Sequence, residues 1–238
     1  MPSLKEPNAA FGNRLLTALP PLEYERLSPH LELVSLTPGK ILYNAGDIVR
    51  HAYFPKGGVI SLLSITQDGR TIEVAMIGNE GMMGVPIVLR SGVAPYQMMV
   101  QLAGNALRIR ENVLRLELDR GGKLQDLLLR YTHSVLIQVA QSAACNRFHT
   151  VEERLCRWLL VSRDHVQTDT IHLTQEFLSH MLGVPRTSVT MIAINLQKEG
   201  FIRYNRGRIT ILDRSGLEAA SCECYRRIRE GSSNFLVA

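Results

Sequence analysis

The spacing of apolar residues changes along the chain, from a period of two in the first half to a period near 3.6 in the second. Between Leu31 and about Ile109, short β-prone runs alternate with turns rich in Gly, Pro, Asn and Asp, which is typical of an all-β roll or barrel. Residues 71–76 alternate apolar and polar side chains, so we expect one face of that strand to meet solvent. A short helical entry over residues 12–30 precedes this β domain.

Helical periodicity begins after Ile109. Residues 111–118 predict a short helix, and residues 123–148 predict a second helix of about seven turns at 3.6 residues each. Apolar side chains on the long helix spread over more than one stripe, which predicts two covered faces. One face can rest on the β domain, and the other is either covered within the chain or meets a partner helix. We favour a homodimer, because a lone helix between two modules has little else to pack against. The candidate dimerisation residues are Leu128, Tyr131, Val135 and Val139.

Two short helices joined by a tight turn are predicted in the last third of the chain. A capping box at Thr150 and Glu153 first starts the helix that precedes them. Thr174 can cap the first of the two, Gly183 can end it, and Pro185 can begin the second. Apolar residues in the second helix recur at i, i+3, i+4 and i+7, which predicts one buried face. This arrangement is the helix-turn-helix, whose second helix enters the major groove of DNA.

A basic hairpin follows the second helix. Residues 201–204 and 208–212 are β-prone and flank an Asn205-Arg206-Gly207 turn, which predicts a two-stranded wing. Residues 174–212 contain five Lys and Arg residues against two acidic ones, so much of the net charge of +5 lies in this module. The order of these elements predicts nucleic-acid binding. The alternative is a small helical packing unit with a solvated run of charge.

Composition favours a protein of two domains without a membrane span. The chain has 238 residues, of which 45% are hydrophobic and 21% charged, and these fractions are ordinary for globular domains. No stretch approaches the roughly 18 apolar residues that a membrane helix needs. The N-terminal residues lack the unbroken apolar run of a signal peptide, so we expect a cytoplasmic protein. Four cysteines are too few and too unevenly placed for a disulfide framework.

Nearly the whole chain resembles the Crp/Fnr superfamily of transcription regulators. The Gly81-Met82-Met83-Gly84 turn, the long helix, the helix over residues 151–160 and the helix-turn-helix occur in the family's order and spacing. The resemblance implies an α+β fold with three parts. These are an N-terminal antiparallel β-roll (jelly roll) that senses an effector (residues 1–121), a long dimerisation helix (122–149), and a C-terminal winged helix-turn-helix with an extension (150–238). It also implies a homodimer that binds double-stranded DNA at a two-fold symmetric operator and contacts RNA polymerase.

The resemblance assigns base contacts to the start of the second helix. Arg186 matches the family's first base-reading arginine, whose planar guanidinium suits the N7 and O6 edge of guanine. Thr187 and Met191 stand where the cyclic AMP receptor protein has a glutamate and a second arginine, so we expect a different operator. The candidate base contacts are Arg186, Thr187, Ser188 and Thr190. The candidate phosphate contacts are Thr174, Gln175, Arg203, Arg206 and Arg208, and a solvated edge is the alternative for the three wing arginines.

The β-roll lacks the polar groups with which cyclic-nucleotide-binding relatives hold their ligand. Met82 replaces a glutamate for the ribose, Tyr96-Gln97 replace an Arg-Ser pair for the phosphate, and Val139-Ala140 replace Thr-Ser for the base. A buried phosphate without its arginine would carry an uncompensated desolvation cost, so we do not expect cyclic AMP. Either a more apolar effector binds there, or the methionines fill the site as core. The candidate effector pocket consists of Gly81, Met82, Met83, Gly84, Val85, Tyr96, Gln97, Met98 and Val139.

The sequence predicts no metal and no other cofactor. No cysteine precedes Cys145, which excludes the N-terminal iron–sulfur cluster of oxygen-sensing relatives. Cys222-Glu223-Cys224 is too short and too isolated for a zinc site, and Cys145 and Cys156 lie on apolar helical faces that predict buried hydrophobes. A redox role for the Cys222 and Cys224 pair is the alternative. No histidine spacing supports haem.

Three other functions compete with a regulator that an unidentified effector controls. A metal oxygenase on the β domain would need two or three histidines on neighbouring strands, and His51 is the only one in the roll. No G-x-S-x-G nucleophile motif occurs either, so we expect no enzyme and no catalytic residue. A sensor that acts through protein partners would not bind DNA, whereas a constitutive regulator would bind it without an effector.

Overall fold

The structure is a computed structural model that describes the backbone of residues 12–234 and the side chains of residues 12–231. Residues 1–11, on which the prediction of no signal peptide rests, lie outside the described residues. Among the described residues, no helix combines the length and the apolarity needed to cross a membrane. A helical entry, a β-roll, a long helix and a second unit of helices and strands follow one another, which confirms the predicted fold class.

Seven antiparallel strands form the N-terminal β-roll. They are β1 (Glu32–Leu36), β2 (Ile41–Tyr43), β3 (His51–Pro55), β4 (Val59–Ile65), β5 (Thr71–Ile77), β6 (Gln97–Leu102) and β7 (Gly104–Arg110). They pair as two sheets in the orders β1-β7-β3 and β2-β6-β4-β5. Side chains from both sheets, among them Phe54, Ile60 and Ile109, pack into one core, because alternate residues of each strand point to the same face.

Helices flank the roll and build most of the second half. They are α1 (Arg14–Thr17), α2 (Pro21–Leu27), α3 (Val85–Val88), α4 (Glu111–Asp119), α5 (Lys123–Phe148), α6 (Val151–Val166), α7 (Gln175–Leu182), α8 (Arg186–Lys198), α9 (Arg214–Ala219) and α10 (Cys224–Asn234). The capping box at the start of α6 is present, with the Thr150 amide donating to Glu153 Oε2 (2.7 Å). The long helix α5 has the predicted bounds, whereas α9 and α10 were not predicted.

A carboxylate from the helical entry caps the long helix. Glu23 of α2 accepts hydrogen bonds from the amides of Lys123 (2.9 Å) and Leu124 (2.8 Å). Gly122 precedes them with a φ of +101°, and a Cβ there would lie 2.9 Å from Glu23 Oε1. The negative charge also suits the positive end of the helix dipole, and such a cap stabilises a helix by about 1 kcal/mol. The start of α5 is therefore tied to the N-terminal entry.

The four residues predicted to form a dimer contact lie on the face of α5 that meets the β-roll. Leu128 and Tyr131 are fully buried in the roll's core, and Val135 and Val139 pack against the same core. The Tyr131 ring lies so close to Gly81 that any side chain there would collide with it. Leu128 and Tyr131 are therefore unavailable for a contact between chains, which corrects that part of the prediction, whereas Val135 and Val139 are only partly buried within the chain and their assignment stays a prediction. Periodicity alone does not say which apolar face turns toward the chain's own core.

A different face of α5 is exposed. The residues of this face are separated alternately by four and three positions. Two of them are leucines with large exposed fractions, Leu129 (50%) and Leu136 (63%). We call this set the α5 stripe. It consists of Leu129, His133, Leu136, Ala140, Ala143 and Arg147.

Both faces of strand β5 are covered, so the prediction that one of them meets solvent is wrong. Glu73 is buried against α6, where its Oε1 accepts a hydrogen bond from Trp158 Nε1 (3.0 Å) and its Oε2 accepts one from Ser61 Oγ (2.7 Å). Burial raises the pKa of Glu73 to about 7, although the hydrogen bonds and the charge of Arg157 oppose the shift. The alternation identified the strand, but its polar side faces the second half of the chain instead of water.

The two halves of the chain share a second core. Val59 and Met76 of the roll pack with Trp158 and other side chains of the second half. At the edge of this contact, His165 Nδ1 lies 2.8 Å from Glu80 Oε2, and both side chains are buried. Burial alone would lower the pKa of His165 and raise that of Glu80, but their mutual attraction outweighs burial and reverses both directions. Apolar and ionic contacts therefore dock the second half on the roll.

Three strands, and not the predicted two, form the wing. They are β8 (Thr170–His172), β9 (Ile202–Asn205) and β10 (Arg208–Ile211), in the order β8-β10-β9. The hairpin of β9 and β10 was predicted. Strand β8 was missed because residues 164–170 have a polar composition that suggested a linker.

Candidate nucleic-acid interface

Local hydrogen bonds close the turn between α7 and α8. Thr174 Oγ1 accepts a hydrogen bond from the Phe177 amide (3.1 Å) at the start of α7. Gly183 has a φ of +64°, and the Val184 amide donates to the Ser179 carbonyl (3.0 Å), which is the Schellman pattern of a helix end. A side chain at Gly183 would also press on strand β5. The predicted helix-turn-helix is confirmed, and glycine serves both the turn and the close approach to the roll.

Helix α8 buries one face and presents the other to solvent. Val189, Ala193 and Leu196 are buried in the second half, as the periodicity predicted. Arg186 and Thr187 are exposed in the first turn of the helix. The two leading candidates for base contacts are therefore accessible.

Two other candidates in α8 have internal contacts. The Thr190 hydroxyl donates to Gln175 Oε1 (2.8 Å), and its oxygen also lies 3.0 Å from the Arg186 carbonyl oxygen. Ser188 is half-buried, and its amide donates to the Pro185 carbonyl (3.0 Å). The Thr190 hydroxyl thus holds the Gln175 side chain at the start of α7.

An open cleft separates the N-terminal ends of α7 and α8 from the tip of the wing. Its lining contains four predicted DNA contacts and consists of Thr174, Gln175, Glu176, Arg186, Tyr204, Arg206 and Gly207. Tyr204 was not predicted. Its hydroxyl donates to the Leu173 carbonyl (3.0 Å), and its amide donates to Gln197 Oε1 (2.9 Å). These bonds tie the wing to α8 and to the segment before α7.

The three wing arginines are exposed. Arg203 pairs across the hairpin with Thr210, and Arg208 pairs with Asn205. Arg206 and Gly207 form the two-residue turn, with φ of +46° and +76°. Positive φ at both positions is the type I′ geometry, which matches the twist of the strands. The charge of Arg206 therefore stands at the tip of the wing.

Two apolar side chains of α8 are exposed although neither was among the candidate base contacts. Met191 is 68% exposed and Ile194 is 44% exposed, on the same helix as the exposed Arg186. Both fall outside the i, i+3, i+4, i+7 set of buried residues, and this position in the pattern could have shown from the sequence that they are exposed. Apolar side chains on a helix in the major groove can contact the methyl group of thymine.

Two protein families match the chain in sequence. The cyclic nucleotide-binding domain matches residues 33–120, and the Crp-like helix-turn-helix domain matches residues 153–220. These ranges contain the β-roll and the interface described above. The chain belongs to the Crp/Fnr superfamily of transcription regulators. It is a DNA-binding transcription regulator with a cyclic-nucleotide-binding-like domain. No match was found among curated protein sequences.

Solved structures of Crp/Fnr proteins have the same fold. A Crp/Fnr-family regulator from Eubacterium rectale is 19% identical, with a TM-score of 0.65 over 87% of this chain and 97% of that one. A CRP-family regulator from Thermus thermophilus is 18% identical, with a TM-score of 0.63 over 79% and 96%. The c-di-GMP responsive regulator CLP from Xanthomonas campestris is 15% identical, with a TM-score of 0.61 over 80% and 98%. At these identities the likeness concerns the fold.

In this Crp/Fnr chain, the turn over residues 81–84 was predicted to line an effector pocket, but its own side chains pack into the core of the roll. Met82, Met83 and Met98 are buried in the roll's core. The amide and carbonyl of Met83 pair with those of Tyr53 in β3 (2.8 Å each). The Gln97 amide group donates to Asn44 Oδ1 (3.0 Å). Of the remaining candidates, the glycines are buried and the others partly buried: Gly81, Gly84, Val85, Tyr96 and Val139.

The tail cysteines are not isolated, which corrects the prediction that no metal site could form. The ligand atoms of Cys145, His149, Cys222 and Cys224 all lie within 4.8 Å of one another. A hydrogen bond from the Cys222 thiol lowers the pKa of Cys145 to about 5, and the charge of Arg157 adds to this effect. The cluster was missed because its two pairs of residues are far apart in the sequence. Cys156 lies elsewhere, buried in the second core as predicted.

Proposed function

We propose that the chain binds, as a homodimer, a two-fold symmetric site on double-stranded DNA and reads it with the first turn of α8. The observation that carries this proposal is the cleft in which Arg186 is exposed beside the start of α7 and the basic tip of the wing. The Arg186 guanidinium can donate to both N7 and O6 of a guanine. Thr187 and Ser188, in the same turn, are the next proposed base contacts.

Contacts to the DNA backbone are proposed for the residues around Arg186. The N-terminal end of α7, with Thr174 and Gln175, suits a phosphate because its amides and dipole favour negative charge. Because its hydroxyl holds Gln175, we propose that Thr190 positions this contact instead of reaching a base. Phosphate contacts set the register of the protein on DNA without reading its sequence. The wing contributes Arg203, Arg206 and Arg208.

Dimerisation is proposed through the α5 stripe. Alternating separations of four and three residues are those of a coiled-coil contact, and two exposed leucines stand in the stripe. Ala140 and Ala143 leave room for a second helix to approach closely. A two-fold axis along α5 would present two α8 helices to half-sites about one DNA turn apart.

We propose that the β-roll responds to an effector other than cyclic AMP. The residues at the expected ligand positions offer no arginine for a phosphate, and Met82 and Met83 fill this region. Their complete burial favours a second candidate, a regulator that binds DNA without a ligand. The two differ in one measurement: under the second, purified protein binds its operator fully before anything is added, whereas under the first it needs the effector. Under both, cyclic AMP changes neither the affinity for DNA nor the thermal stability.

The remaining parts of the proposal follow from the family. We propose that the dimer acts in the cytoplasm and contacts RNA polymerase when bound to DNA. No catalytic role is proposed. A sensor that acts only through protein partners remains the competing function, and DNA binding separates the two.

The test starts with selection of sites from a random duplex library by the full-length protein. Fluorescence anisotropy then compares a selected duplex with a scrambled one over a range of salt concentrations. We expect symmetric sites and an affinity that falls steeply as salt rises. Arg186→Ala should cost about 1–3 kcal/mol on the selected duplex only, whereas Arg206→Ala should weaken both duplexes alike.

Two results would contradict this assignment. Equal losses for both variants on both duplexes would show that Arg186 does not read a base. Failure to retain any duplex at low salt would favour the sensor that acts through protein partners.

A further inference from the structure

Four potential metal ligands from two distant segments meet where the long helix ends. Cys145 and His149 are one helical turn apart at the end of α5, Cys222 precedes α10, and Cys224 begins it. Their ligand atoms lie within 4.8 Å of one another. All three cysteines are buried, and the His149 side chain is 17% exposed. The convergence brings together residues as far apart in sequence as Cys145 and Cys222, a separation of 77 positions.

The spacing of these atoms fits a tetrahedral zinc ion. With Zn–S bonds of about 2.3 Å and a Zn–N bond of about 2.0 Å, tetrahedral angles place two sulfurs about 3.8 Å apart and a sulfur and a nitrogen about 3.5 Å apart. The Sγ atoms of Cys145 and Cys222 are 3.6 Å apart. Cys224 Sγ lies 3.5 Å from His149 Nδ1. Both distances are close to edges of such a tetrahedron.

The surroundings of the cluster hold the ligands in position. His149 turns Nδ1 toward Cys224, while its Nε2 lies 3.2 Å from Glu223 Oε2. A carboxylate on the outer nitrogen of a histidine fixes the tautomer and the ring orientation of a metal ligand. The Gln141 amide group donates to Cys224 Sγ (2.9 Å). Each of these contacts restrains the side chain of one potential ligand.

Buried positive charge compensates a cluster of thiolates. Three thiolates and a neutral histidine around Zn²⁺ would carry a net charge of −1. The side chains of Arg154 and Arg157 are 6% and 7% exposed, and the charge of each acts on Cys145. Arg154 also donates to the Leu182 carbonyl at the end of α7. These arginines favour an anionic metal centre at a buried position.

We propose that Cys145, His149, Cys222 and Cys224 bind one Zn²⁺ per chain as a structural site. A set of three thiolates and one imidazole selects zinc over the cations that prefer oxygen ligands, and four protein ligands leave no position open for catalysis. The ion joins α10 to the end of α5, immediately before the α5–α6 junction. It therefore fixes the second half of the chain to the proposed dimer helix. This inference does not depend on the proposed DNA contacts.

A disulfide or apolar packing explains the arrangement of these four side chains less completely than a metal site does. A bond between Cys145 and Cys222 would use two of the four groups and would leave Cys224 and His149 without a role. Apolar packing would not bring a histidine with its own carboxylate partner to three thiols. All four side chains have a role only around a metal ion.

The test is the metal content of the full-length protein purified without chelators. We expect one zinc per chain by mass spectrometry, and a Co²⁺-substituted protein with the intense visible bands and the sulfur-to-cobalt charge transfer of a tetrahedral thiolate site. Glu223→Gln, which leaves all four ligands in place, should weaken zinc affinity by about 10–100-fold in competition with a chelator. His149→Gln should lose the ion. His30→Gln, at an exposed histidine outside the cluster and outside the proposed dimer and DNA contacts, is the matched control and should keep it.

The wild-type protein decides the outcome even if a variant fails to fold. Absence of zinc together with no tetrahedral cobalt spectrum would overturn the proposal. So would a Cys145–Cys222 disulfide in the protein isolated under reducing conditions, or unchanged zinc content in folded His149→Gln.

Discussion

The buried carboxyl group of Glu73 makes the contact between the two halves of the chain sensitive to pH. Its pKa is raised by burial from the ordinary value of 4.5 to about 7. Between these two values the folded protein binds a proton that the unfolded chain releases, so stability falls as pH rises through this window. Glu73→Gln keeps the shape and removes the ionisation. Its amide oxygen can still accept from Trp158, and its NH₂ group can donate to Ser61.

The magnitude follows from the size of the shift. A displacement of the pKa from 4.5 to about 7 corresponds to about 3 kcal/mol of unfolding free energy, at about 1.4 kcal/mol for each pH unit. No discount for solvent applies because Glu73 is only 8% exposed. The window from pH 5 to pH 8 covers about two pH units of this shift, so the stability of Glu73→Gln relative to the wild type should increase by about 2–3 kcal/mol across it. The Glu80–His165 pair is present in both proteins, and the charge of Glu73 is the last of the causes that raise the pKa of His165, so most of the pair's contribution is common to the two.

Urea unfolding at pH 5, 6, 7 and 8 and constant ionic strength measures this difference. The chain has one tryptophan, Trp158, which donates to Glu73, so its fluorescence reports unfolding at the site itself. Equal m-values for the two proteins are required before their free energies are compared. Glu199→Gln, at an exposed glutamate of α8's C-terminal end, controls for the loss of one charge. Wild-type and Glu73→Gln curves that stay parallel across the four pH values would refute the reasoning.

Three further predictions concern the interface and the dimer. Leu136→Lys in the α5 stripe should convert the dimer to a monomer, as measured by light scattering. Leu116→Lys, at an equally exposed leucine of α4 (63% each), is the control and should leave the dimer intact. If both variants stay dimeric, the stripe is not the dimer contact. Arg206→Asn keeps a residue suited to the type I′ turn, so thermal stability should be retained. The slope of the logarithm of the DNA-binding constant against the logarithm of salt concentration should decrease in magnitude by about one, because one phosphate contact is lost. Unchanged salt dependence would remove the wing tip from the contact. Thr174→Ala should lower the unfolding free energy by about 1 kcal/mol through loss of the α7 cap, and no loss in urea unfolding would argue against the cap.

The helix-turn-helix was predictable because its signals are local. Thr174, Gly183 and Pro185 act on amides and dihedral angles within a few residues of themselves, so the residue types suffice to place the helix ends. The I′ turn at Arg206-Gly207 and the capping box at Thr150 are of the same kind. These signals can be recognised from the residue types alone, although the helices themselves need the rest of the core for their stability.

The sites that were predicted wrongly or missed depend on contacts between distant segments. The spacing of apolar residues showed that α5 has two apolar faces, but only the packed roll decides that Tyr131 points inward and Leu136 outward. Alternation in β5 located Glu73 on a polar face, and docking of α6 buries that face. Neither outcome has a local signature.

The sequence by itself determined a β-roll, a long helix and a winged helix-turn-helix with an exposed Arg186, because periodicity and capping are properties of short segments. The tertiary structure alone decided which face of α5 is exposed, why the pKa of Glu73 is raised, and that His149 and the tail cysteines form one cluster. The physical reason is that burial and ligand geometry depend on distances through space, and residues 77 positions apart in sequence can lie 3.6 Å apart in the fold.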